Sequence, residues 1–120
     1  MKPDKLVEIR GQPVTLTRVT SVVYDEWDNL DGDASTDETE EILAVVTRPS
    51  DEQIQDLQGR GLNASRKLTV KSSVDIQANR QGGSDEVVID GETYEVIEVQ
   101  EETHVLAGYT KKTVLVDNVR

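Results

Sequence analysis

A chain of 120 residues has room for one domain, able to bury about two-thirds of its unfolded surface. Its 24 acidic residues face only 13 basic ones, a net charge of −11, which disfavours ordinary duplex binding because that needs clustered lysine and arginine against phosphate. The absence of cysteine excludes disulfides and thiolate metal sites, and neither an apolar signal core near Met1 nor a membrane-length apolar run is present, so a soluble, intracellularly assembled protein with no membrane partner is expected.

In chain order, Gly11 to Pro13 marks a turn, and alternating threonine and aliphatic residues follow it. Val14 and Leu16 share one strand face, which Val22 and Tyr24 can continue. Residues 25–41 hold nine carboxylates and no basic residue, the composition of a long acidic loop. Ile42 to Val46 is continuously apolar and predicts a strand buried on both faces, ending at Arg48 and Pro49. A short helix is predicted near 50–58. Ser50 can cap it and Gln53 complete a capping box, Asp51 and Glu52 suit its first turn, and Gly59 stands at its exit. Ile54 and Leu57 form a single apolar edge, so this helix needs a sheet to lean on.

From Arg66 to Ile76 the alternation is clean, with Leu68, Val70, Val74 and Ile76 on one face of a predicted strand. Residues 78–84 read as a flexible connection. A hairpin then spans 85–99 around Asp90 and Gly91, the pair that supplies both positive-φ positions of a type I′ turn. Within it Tyr94 and Val96 share one face while Ile97 and Val99 share the other. Either a bulge near Val96 or burial of both faces would explain that phase change. Residues 101–108 are expected as another loop, and 109–119 as the strand that closes the sheet. The fold class expected is mainly β: a small β-barrel or sandwich in a single domain, with one short helix near 50–58 and a long acidic loop near 25–41.

Candidates for catalysis are few. His104 is the only histidine and falls in a polar stretch without a neighbouring serine, chance carboxylate pairs are common in so acidic a chain, and no enzyme and no cofactor are expected. Setting Gly32 at the sixth position of an EF-hand loop puts Asn29, Asp31 and Glu38 at positions three, five and twelve, but leaves Trp27 where a carboxylate is required and supplies no long flanking helices. A looser oxygen site for a hard cation would draw on Asp28, Asp31, Asp33 and Glu38. The four aromatic residues, Tyr24, Trp27, Tyr94 and Tyr109, lie among acids and not on a basic groove, so Tyr94 and Tyr109 read as core residues whose hydroxyls reach the rim. The acidic excess has two readings. It is a well-solvated surface, or it suits molar salt, where the Debye length falls to about 3 Å; six lysines, no phenylalanine and 35% apolar residues favour the second.

The order of the run from Gly11 to Arg18, the run from Ile42 to Ser50, the helix with Asp56 to Gln58, the strand from Arg66 to Val70, the hairpin at 85–99 and then Gly108 and Tyr109 resembles the head-to-tail connector proteins of tailed viruses, specifically stopper (head-closure) and tail-completion proteins. The chain departs from that family in lacking a tryptophan after Val99 and in its acidic insertion. The resemblance implies a homo-oligomeric ring in the virion neck, assembled in the host cytoplasm. The ring would lie between portal or adaptor and the tail-tube or tail-terminator proteins, close the head, retain or gate the DNA, and dock the tail, with DNA passing through the channel without sequence-specific binding. By analogy Asp25, Glu26, Trp27, Asp28, Asp31, Asp33, Asp37 and Glu38 form a channel-facing or plug loop, an outward-facing loop being the alternative. A non-viral β-barrel interaction domain and a cation-binding acidic β module are the other readings.

Overall fold

The computed structural model describes residues 2–19, 37–79 and 83–118. Six strands, β1 (Gln12–Val19), β2 (Asp37–Thr47), β3 (Arg66–Val70), β4 (Glu86–Ile89), β5 (Glu92–His104) and β6 (Tyr109–Asn118), pair antiparallel in the order β1-β2-β3-β6-β5-β4. The ring of strands closes where β4 pairs with β1, Leu16 standing opposite Val87, so the barrel form of the two expected architectures is the one adopted.

Alternation decides what faces inward. Val14 and Leu16 of β1, Ile42 and Ala44 of β2, Leu68 and Val70 of β3, and Val114 and Val116 of β6 meet Val87, Ile89, Tyr94 and Val96 in one buried cluster. A barrel of so few strands fills its interior with side chains, and this one is packed by aliphatic groups and one tyrosine ring. The hairpin turn is as the residues spell it: Asp90 and Gly91 both take positive φ, 51° and 83°. The phase change in β5 is a bulge. Val96 stands opposite Val116, the next pair is Glu98 with Leu115, and Ile97 is the extra residue that shifts the inward set from Tyr94 and Val96 to Val99.

Several boundaries differ from the sequence expectation. β2 begins at Asp37, so residues 37–41 are strand and not the end of the acidic loop; pairing with β1 and an arginine partner on that strand outweigh the poor strand propensity of the carboxylates. Ile42 to Val46 is buried on one face only, since Leu43 is exposed and Val45 half-buried. β3 ends at Val70, and residues 71–79 leave the sheet yet keep Val74, Ile76 and Ala78 packed against the core. Strand β5 runs on to His104, which leaves only residues 105–108 as loop.

Among the described residues two helices flank the barrel. α1 (Pro3–Arg10) was not expected: it buries only Pro3 and Val7, too little for a periodic stripe, and it packs on β2, β3 and β6. Its Asp4 carboxylate accepts hydrogen bonds from the backbone N–H (2.9 Å) and hydroxyl (3.0 Å) of Ser72, anchoring the start of the 71–79 segment. The other helix, α2 (Asp51–Gly59), carries the expected capping box. The Ser50 hydroxyl accepts from Gln53 N–H at 3.1 Å, and Gln53 Oε1 accepts from Ser50 N–H at 2.9 Å. Its exit is at Gly61 and not Gly59. Gly61 takes φ 75°, its N–H donates to Gln58 O and that of Leu62 donates to Leu57 O, the paired bonds of a Schellman ending.

Candidate functional site

The inward face of β1 changes character after Leu16. Arg18 continues it with Glu38 of β2 opposite, and Glu40 stands opposite Leu16. The guanidinium donates from Nε to the carbonyl of Asp75 at 2.7 Å, bonds the Glu40 carboxylate, and lies 3.9 Å from Glu38. This end of the barrel is therefore closed by a charged clamp that also holds the 71–79 segment across it. From the other side, the Lys112 ammonium donates to the carbonyl of Val74 and pairs with Glu101 at 3.3 Å. Buried side-chain polar atoms among the described residues all have partners.

Of the residues expected in a plug loop, Asp25, Glu26, Trp27, Asp28, Asp31 and Asp33 lie outside the described residues, as do Val22 and Tyr24. Asp37 and Glu38 lie in β2, and Glu38 serves as a partner of Arg18. The cation candidates Asp28, Asp31 and Asp33 fall outside with them. Among the described residues no group of three histidine, aspartate or glutamate side chains is gathered as a metal site. No helix among them is long and apolar enough to cross a membrane.

His104 is the last residue of β5. Its ring lies 4.7 Å from that of Tyr109 and its Nε2 is 3.7 Å from Glu102. Tyr109 is thus a half-buried residue of the hairpin stem, not a core residue; Tyr94 has its ring in the core and its hydroxyl at the rim, donating to Glu92 at 3.0 Å. That bond, and then burial, raise the Tyr94 pKa above the usual tyrosine value.

Beyond the barrel β5 and β6 continue alone. β4 pairs with β5 no further than Glu95, and β3 pairs with β6 no further than Lys112, so Glu102 with Lys111, Thr103 with Thr110, and His104 with Tyr109 form a two-stranded arm that no third strand joins among the described residues. Gly108, at φ 72°, turns its end, donating to the carbonyl of His104 at 2.8 Å. At the apex Val105 and Leu106 are 82% and 105% exposed, two adjacent apolar side chains in water. Sequence reasoning passed over them inside an expected loop. The available signal was an apolar pair interrupting a polar stretch.

The charges are paired unevenly over the surface. Arg60 bridges α2 to β5 through Asp56 and Glu98, each at 2.9 Å, and these contacts, Glu98 foremost, raise its pKa further above the ordinary arginine value. Arg48 and Arg66, by contrast, have no carboxylate within 4.0 Å among the described residues, and both border a groove of about 620 Å³ floored by Val46, Pro49, Ile54 and Ala64. In so acidic a chain, two arginines without acidic partners among the described residues on one groove stand out.

Fold and surface together define a small, closed, side-chain-filled antiparallel β-barrel with a projecting hairpin arm and an arginine-bordered groove. No protein-family model matches the chain, and no curated protein matches it.

Proposed function

We propose that this chain is a structural protein of the neck of a tailed virus, a ring-forming connector between portal or adaptor and tail. The residue pattern along the barrel supports this reading by its likeness to stopper and tail-completion proteins. The observation that carries it is the arm: a barrel packed with aliphatic side chains extends a two-stranded hairpin whose apex exposes Val105 and Leu106. An exposed apolar apex on one side of a module is suited to contact a different patch on its neighbour, the geometry from which rings close. The excess of carboxylates repels phosphate, so DNA passes such a ring without being held by charge, and closure rests on steric narrowing.

The test is genetic and then biochemical. Removing the gene from a virus that encodes this chain is expected to yield filled heads and free tails that do not join, and adding the purified chain back restores joining. Complete, infectious particles formed without the chain contradict the proposal and favour an interaction domain with no place in the virion.

A further inference from the structure

We infer that the arm of one copy docks in the arginine-bordered groove of the next: Val105 and Leu106 cover Val46, Pro49, Ile54 and Ala64, while the arm's Glu102 meets Arg48 and Arg66. This rests on the ring reading and specifies its interface. Three observations point to a second copy as the occupant.

First, arm and groove cannot meet within one chain. The arm's β6 strand begins beside the apex at Tyr109, whereas Arg66 pairs with Val116, seven positions further along β6 and about 24 Å away at about 3.4 Å per residue. Apex and groove thus belong to opposite ends of the same strand, and an apex at one end with a receptor at the other joins copies head to tail.

Second, the charges complement. Glu102 is 70% exposed near the apex with Lys111 opposite it across the arm, and the groove offers two guanidinium groups with no carboxylate within 4.0 Å among the described residues. A larger groove, beside the β5 bulge, fits less well. Glu95, Glu98, Glu101 and Asp75 line it, and its cations Arg60 and Lys112 are already paired, so it repels an arm that carries Glu102.

Third, the contact is small. Two apolar side chains and a charge pair fall short of the about 800 Å² per partner typical of a stable interface, so isolated pairs dissociate readily and a closed ring, with every arm and groove engaged, is the persistent form.

The chain has no cysteine of its own, so trapping is clean. Leu106→Cys mixed with Ala64→Cys under mild oxidation is expected to form the disulfide about ten-fold faster than Leu106→Cys mixed with Gln55→Cys, an exposed position on α2, because docking brings the thiols within bonding reach. Arg66→Glu placed on the Ala64→Cys partner lowers trapping to the control rate, and Glu102→Arg on the Leu106→Cys partner restores it. Equal rates at positions 64 and 55, or no rescue by the reversed pair, overturn the inference. Sedimentation of the wild-type chain separates the two failures: rings without trapping remove this interface and leave the ring, whereas monomers at every concentration remove both.

Discussion

The carboxylate of Asp85 accepts a hydrogen bond from the backbone N–H of Gln77 at 2.9 Å, with Asp85 fully buried just before β4. Its own N–H returns a bond to the Gln77 carbonyl, and its carbonyl accepts from Val96 at the β5 bulge. One residue therefore ties the segment crossing the barrel to the strand whose register shifts beneath it. Asp85→Ala leaves the part-buried N–H of Gln77 without its acceptor and is expected to cost about 1–3 kcal/mol, read from urea unfolding, while Asp85→Asn, which keeps an acceptor oxygen, costs less. A change within about 0.5 kcal/mol, the scatter of ordinary surface substitutions, would show that the segment is held elsewhere.

Gly11 joins α1 to β1 at φ −68°, an ordinary value, so its requirement is spatial and not conformational. A Cβ built there would overlap the carbonyl oxygen of Val7, which accepts the Gly11 N–H at 2.8 Å, and would press on Leu43. Gly11→Ala is expected to destabilise by about 1–3 kcal/mol and to loosen α1, seen as faster amide exchange at Val7. Unchanged exchange and stability would mean the turn relaxes freely.

Tyr94 gives an alkaline signature. Its folded pKa is raised by the Glu92 hydrogen bond and by burial, so the folded state keeps its proton where the unfolded chain has begun to lose it. That contribution is fully present below the unfolded value of about 10 and is lost as pH rises through the higher folded value. Unfolding free energies of the wild type and of Tyr94→Phe, measured from pH 9 upward, are expected to converge as the wild type loses its contribution. Parallel curves would remove Tyr94 as the cause.

The apex residues contribute nothing to the barrel. Val105→Ser with Leu106→Ser is expected to shift stability by no more than about 0.5 kcal/mol by thermal melting, because both side chains are already in water. A larger loss would place them in a contact within their own chain.

Net charge makes a further demand. With −11 to distribute over 120 residues, self-repulsion is screened as salt rises, and the melting temperature is expected to climb between low and molar salt. Stability that is flat across that range would remove the basis for a high-salt setting.

Much of the barrel was legible because its signals are local. Asp90 and Gly91 fix their turn by φ alone, Ser50 and Gln53 satisfy each other's backbone three residues apart, and the slip between Val96 and Ile97 marks the bulge within one strand. What escaped depends on distant partners. Residues 37–41 carry four carboxylates and become strand because β1 lies beside them and Arg18 pairs with Glu38 and Glu40. The clean alternation through Ile76 continues after the sheet has ended, since Val74 and Ile76 face the core from a segment held by Asp85, Arg18 and Lys112. α1 is tied by Asp4 to Ser72, a contact no periodicity reveals. The arm and the Arg48 and Arg66 groove were invisible for the same reason: each is defined by where neighbouring strands stop.

Cryo-electron microscopy of tailed particles carrying this chain is the most direct measurement. Density for several copies of the six-stranded barrel arranged around the axis at the junction of head and tail, arms pointing towards their neighbours, is the expected result. Particles whose neck density fits no such barrel, with the chain elsewhere or missing, would contradict it.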